Sequence, residues 1–155
     1  MDQDVLDGLN ELLSYEYTSI IQLMQHSYIL QGIEREAFAS FLRNHAKESL
    51  DHAAELGDKI IALDGVPTVQ VGTVRQSTDW REMLQQDLDQ HHEVVAKVDA
   101  LVQKCEERRY VALRVLLERM SEEETKFIED LERALSLKQT AIQREKGKVP
   151  RVKVG

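Results

Sequence analysis

The sequence is poor both in residues that interrupt helices and in those that favour sheets. Its 155 residues include only two prolines and seven glycines, and aromatic residues make up 5%. That scarcity argues against a turn-rich β fold and for an all-α one. A single cysteine, Cys105, excludes an internal disulfide and suits a reducing compartment. No apolar run approaches the ~20 residues of a membrane span, so no membrane partner is expected. The N-terminus, MDQDVLDG, is acidic, unlike a secretory signal. A cytoplasmic protein with one core of its own is therefore expected.

What the chain does contain is charge, unevenly placed. The net charge is −8. Residues 137–155 carry Lys138, Arg144, Lys146, Lys148, Arg151 and Lys153 against Glu145 alone, a balance of +5 that leaves −13 for residues 1–136. An acidic body attracts cations and repels nucleic acid, whereas a basic extension does the reverse. Six charges on a terminus more often solvate it than bind DNA, so weak or no DNA binding is expected.

Four segments show the apolar period of amphipathic helices. The first, residues 2–31, has the stripe Leu9, Leu13, Glu16, Ile20, Leu23, Ser27, Leu30, with Gly32 as its stop. The second, about 34–63, aligns Leu42, His45, Ser49, His52, Leu56, Ile60 and Leu63. The third, about 79–105, aligns Leu84, Leu88, His91, Val95, Val98, Val102 and Cys105. A fourth, about 109–136, follows a turn expected within Lys104–Arg109 and aligns Leu113, Leu117, Met120, Glu124, Phe127, Leu131 and Leu135. One or two further helical turns and then a mobile tail are expected beyond it.

The first two helices are joined too tightly to be anything but antiparallel neighbours. Residues 64–78, DGVPTVQVGTVRQST, have no helical period. A 30-residue helix is ~45 Å long and 15 extended residues reach ~50 Å. This connection can therefore run the length of a bundle, with Ser77 or Thr78 capping the third helix. The expectation is a four-helix bundle over residues 1–136, with a long crossover between helices two and three and a basic extension at 137–155.

Each stripe is polar at its midpoint. Midpoints of equal helices in a bundle share one level whichever way each helix runs, so Glu16, Ser49 with His52, His91 and Glu124 should meet. Two carboxylates and two imidazoles facing one another suit iron, manganese or zinc. Glu48 and His45 lie close enough to join such a site. Two other readings stay open: Glu16 at the edge of its stripe with its carboxylate in solvent, and a hydrogen-bonded Glu–His network without metal. His26 and His92 lie off the stripes and read as surface or interface residues. Met24, Met83, Met120 and Trp80 read as packing, and Tyr15, Tyr17 and Tyr28 as possible redox neighbours of the centre.

The segments LNELLSYEYTSIIQ (9–22), ESLDHAAELGDKIIALDGVP (48–67) and EMLQQDLDQHHE (82–93) resemble the ferritin-like superfamily, bacterioferritins above all. The resemblance implies a bundle around a dinuclear iron site and assembly into homo-oligomers, as dimers or iron-storing cages. Its pattern is one Glu on each of the first and third helices and Glu-x-x-His on the second and fourth. Glu16, His52 and Glu124 match that pattern. Ser49 stands where a bridging Glu is expected, with Glu48 one position out of phase, His91 stands at the third-helix Glu, and Phe127 at the fourth-helix His. Leu50 stands at the haem-ligating Met of bacterioferritins, so haem is not expected. The resemblance thus implies iron or another divalent ion at a centre of Glu16, His52, His91, Glu124, Glu48 and His45. Ferroxidase activity there should be reduced or absent.

Overall fold

The computed structural model describes residues 2–136 and 141–146. Four long helices account for most of them: α1 Gln3–Ile29, α2 Gly32–Ala62, α3 Trp80–Glu107 and α4 Val111–Ala134. A short helix, α5 Ala141–Lys146, follows. There is no strand among the described residues. Lys138, Lys148, Arg151 and Lys153, together with the expected mobile tail, lie outside them.

The helices pack as α1 on α2, α3 on α4 and α1 on α3. α1 and α2 are antiparallel across a break at Leu30 and Gln31, and Gly32 opens α2 with a left-handed φ of +68°. The crossover then returns along α1. Asn10 donates to Val66 O at 3.1 Å and accepts from Thr68 N at 2.8 Å. Thr18 Oγ1 accepts from Gly72 N at 2.8 Å, and Gln22 Oε1 from Arg75 N at 3.0 Å. An extended segment without a strand partner leaves its amides and carbonyls to be satisfied elsewhere. Here polar side chains spaced along α1 do so, from the start of the helix toward its end. As the length argument requires, α3 therefore starts at the end of the bundle where α1 finishes. Its own C-terminus returns to the start of α1, where Arg108 forms a two-point pair with Asp4 at 2.8 Å.

Two apolar clusters form the core. One gathers Leu9, Leu12, Leu13, Leu56, Ile60, Val98, Leu117 and Met120, and the other Leu23, Leu42, Leu84, Leu88, Phe127 and Leu131. The polar midpoints separate them. Burial follows the expected stripes with one drift of phase: Ile20, Val95 and Val102 are only half-buried, while Ser19, Val94 and Leu101 take the inward positions. The helix period is not commensurate with a fixed stripe, so a long helix rotates its buried side by one residue. Glu16 is 1% exposed, which excludes the edge-of-stripe alternative. The cap of α3 is Asp79, accepting from Glu82 N at 3.0 Å, rather than Ser77 or Thr78.

The turn between α3 and α4 contains no glycine, yet it closes as a glycine turn would. Arg109 adopts a φ of +61°, and Tyr110 N reaches back to Cys105 O at 2.8 Å, as in a Schellman ending. An exposed side chain held in the left-handed region costs about 1–2 kcal/mol that glycine avoids. Arg109→Gly should therefore raise stability by about 1 kcal/mol in urea denaturation. In the opposite direction, Leu131→Ala removes a fully buried side chain and should cost about 2–5 kcal/mol by leaving a cavity.

Candidate metal centre

The polar layer is built from three residues of α2 and one of each other long helix: Glu16 of α1, His45, Ser49 and His52 of α2, His91 of α3 and Glu124 of α4. All six are at most 3% exposed. The carboxylate of Glu124 is the point on which the others converge. His52 Nδ1 lies 3.2 Å from Glu124 Oε1, while His45 Nε2 and His91 Nε2 lie 3.3 and 3.6 Å from Oε2. Glu16 Oε1 is 3.6 Å from His52 Nδ1.

Each imidazole is held from behind. His45 Nδ1 donates to Glu48 Oε2 at 2.9 Å, and His52 Nε2 to Glu123 Oε2 at 2.5 Å. His91 Nδ1 donates to the carbonyl of Asp87, one turn earlier on α3, at 2.6 Å. That bond fixes the His91 tautomer, so in the neutral ring Nε2 carries a lone pair and accepts from Ser19 Oγ at 3.0 Å. An outer oxygen that takes one ring N–H and aims the other nitrogen inward is the support that metal-ligating histidines have. Aromatic contacts add to it. The His45 ring lies parallel to Phe127, with centroids 3.6 Å apart, and His91 meets both rings edge-on.

The charge balance follows from the same contacts. Burial works against the charged form of Glu124, yet the hydrogen bonds and charge of His45 and His52 outweigh it and hold the carboxyl well below its usual range. Burial likewise opposes the His45 and His52 cations. Hydrogen bonds to Glu124 and Glu48 outweigh it for His45, raised to about 9, and Glu124, Glu16 and Glu123 do so for His52, raised to about 11. Burial and then the charge of Glu124 push Glu16 up to about 7. His91, fully enclosed, is pushed down by burial and stays neutral. Protons thus hold the layer together where a cation could do the same.

Two atoms of the layer remain unmatched: Glu16 Oε2 and Ser49 Oγ are buried with no hydrogen-bond partner among the described residues. A closed hydrogen-bonded core seldom leaves a carboxylate oxygen so. Two sets of three donors come within 4.8 Å of one another: Glu16, His52 and Glu124, and His45, His91 and Glu124. These donors suit a divalent ion of the first transition series.

The six residues expected at this site are thus brought together, Glu48 as the support of His45 rather than as an inward donor. Glu123 was not expected at the site, because a register that turns it inward also puts Arg119 and Asp130 in the core, but its side chain is long enough to reach His52 from the edge. The main correction is His26. Expected at the surface or an interface, it is 0% exposed within the chain itself, bonded to Asp87 Oδ2 at 3.0 Å and to Arg75 O at 3.0 Å. Gln22 donates to the other oxygen of the same carboxylate at 2.8 Å. Asp87 and His91, four residues apart on one helix, were the available signal for this support. His92 is exposed, as expected.

Comparison with known proteins places this arrangement. The profile of the ferritin-like domain matches residues 6–140. The chain is 33% identical over 137 residues to the bacterioferritin of Mycobacterium bovis and to bacterioferritin BfrA of Mycobacterium tuberculosis, covering 88% of this chain and 86% of each relative. In three dimensions it resembles a ferritin-like diiron-carboxylate protein from Bacillus anthracis with a TM-score of 0.84 at 32% identity, over 87% of this chain and 99% of that one. The crystal structure of the tuberculosis BfrA gives 0.83 at 32% identity, over 88% and 86%. With the bundle, the crossover and the polar layer in place, the chain belongs to the ferritin-like family.

Proposed function

We propose that this protein takes up a divalent metal, iron first of all, at the centre formed by Glu16, His52, His91 and Glu124 with His45 and Glu48, and that it serves in iron storage or handling. The observation that carries the reading is the treatment of the three imidazoles. Each has one nitrogen tied to an outer oxygen and the other turned toward a single buried carboxylate. The unpartnered Glu16 Oε2 favours a metal site over a purely hydrogen-bonded core.

The same residues argue for slow oxidation of iron. Two irons held side by side by bridging carboxylates can each give an electron to oxygen. Ser49, His91 and Phe127 occupy positions where the family pattern has Glu, Glu and His, which leaves Glu124 as the bridge. Assembly with further copies fits the exposed apolar side chains Ile21, Tyr28 and Leu50 on α1 and α2 and Val66, Val69 and Val71 on the crossover. No helix among the described residues is long and apolar enough to cross a membrane.

A bound ion cross-links four helices and finds no such site in the unfolded chain. At about 100 times its dissociation constant, it should stabilise the fold by ~2.7 kcal/mol. Glu124→Ala should abolish the metal-dependent rise in melting temperature, and His92→Ala should retain it. A wild-type melting temperature indifferent to iron, manganese and zinc would falsify the reading. Ser49→Glu, His91→Glu and Phe127→His introduced together should speed oxygen-dependent iron oxidation, measured by iron absorbance. No change in rate would count against the assigned register.

Without metal, pH acts through the protons of the layer. His45 and His52, raised to about 9 and about 11, stabilise the fold fully below the ordinary imidazole value of ~6.5 and lose that contribution as pH rises through their folded values. Glu16, raised to about 7, favours the fold fully below the ordinary carboxyl value of ~4.3, and that contribution is lost as pH rises through 7. Protein kept in chelator should therefore melt lower at pH 9 than at pH 6. A melting temperature that climbs over this interval contradicts the assignment.

A further inference from the structure

The two sets of donors around Glu124 differ in kind. Glu16, His52 and Glu124 Oε1 offer two carboxylate oxygens and one nitrogen, whereas His45, His91 and Glu124 Oε2 offer two nitrogens and one oxygen. We propose that the centre has two unlike lobes: His45, His91 and Glu124 hold a zinc-class ion, and Glu16, His52 and Glu124 hold an oxygen-preferring ion such as iron or manganese. This rests on the metal-binding function proposed above and adds a second site to it, with a chemistry of its own.

Ligand spacing supports the nitrogen-rich lobe. A tetrahedral zinc ion with bonds of ~2.0–2.1 Å separates its ligand atoms by about 3.3 Å. The pairs His45–Glu124 and His91–Glu124 stand at 3.3 and 3.6 Å. Binding needs loss of the His45 Nε2 proton, a turn of the Ser19 hydroxyl away from His91 Nε2 and closer approach of the three donors, which already lie within 4.8 Å of one another. Glu48 continues to hold His45 Nδ1, and the Asp87 carbonyl His91 Nδ1, so both rings are fixed before the ion arrives. Phe127, flat against His45, closes the lobe with an apolar wall.

Access and affinity also separate the lobes. His45 lines an open cleft between α2 and α4 with Glu48, Glu123 and Phe127. Glu16, at 1% exposure, lies on the far helix and is not part of that cleft. An ion entering there meets His45 first, the one donor of either lobe that lines the cleft. Among manganese, iron and zinc, a two-imidazole site favours zinc by the order of divalent affinities, and carboxylate oxygens favour the harder ions. Zinc has no electron to give to oxygen, so a centre filled in this way lacks the second reductant of an iron pair.

The test is competitive loading. Chelator-treated protein is incubated with equimolar Zn²⁺ and Mn²⁺ and desalted, and its metals are counted. Crystals loaded in the same way are measured above and below the zinc edge. The expected result is one zinc and one manganese per chain, with the zinc anomalous peak between His45 and His91. His45→Gln should lose zinc and keep manganese, and Glu16→Gln the reverse. A single ion shared among all the donors, zinc in both lobes, or zinc retained in His45→Gln overturns this inference and leaves metal binding standing. Absence of any bound ion overturns both. If His45→Gln fails to fold, as judged by circular dichroism, the wild-type anomalous peaks decide.

Discussion

The carboxylate of Glu124 is the constraint on which the rest of the structure depends. It lies 1% exposed between two apolar clusters, and an ionised group in such a place must be compensated closely and from several sides. Two imidazoles of α2, His45 and His52, supply that compensation, and His91 of α3 packs against the same carboxylate. Their presence commits the facing positions of all four helices to one level. It also divides the hydrophobic core in two, so the bundle is held by apolar packing at both ends and by charge in the middle. Any slip of one helix along its axis would leave a buried carboxylate or a buried imidazolium unpaired, which costs far more than a lost apolar contact.

The crossover is tied into the same arrangement. Arg75 bonds through its backbone to Gln22 and His26, both of which hold Asp87, whose own carbonyl fixes the tautomer of His91. A continuous set of hydrogen bonds thus leads from an irregular surface segment to a donor at the centre. The path explains why α1 carries Asn10, Thr18, Gln22 and His26 on a side that otherwise reads as solvent-facing: that side is covered by the chain itself.

The fold was legible because its signals are local and repeated. Leu13, Leu56, Leu117 and Leu131 fall where the helical period puts them, and each is fully buried. The 64–78 connection could be measured against helix length without knowing any contact. The interruptions at Glu16, His52, His91 and Glu124 stood out for the same reason, since a stripe makes its exceptions visible. His26 and Asp87 did not stand out, because they are buried by long-range partners that periodicity does not encode. Glu123 was set aside since it lies off the stripe, and only its side chain reaches His52 from the edge. Nor could the sequence show that His45 would lie flat against Phe127, a contact between helices whose relative rotation only packing decides.

X-ray absorption at the metal edge of the loaded protein addresses the central claim directly, because it reads the atoms around the ion without a variant. If the polar layer is a metal centre, a protein loaded with one equivalent of zinc or ferrous iron and desalted should show a first shell of mixed nitrogen and oxygen, with the outer-shell scattering of coordinated imidazole. A first shell of oxygen alone, without imidazole scattering, would mean that the ion sits elsewhere on the acidic surface and that Glu124 is held by protons only.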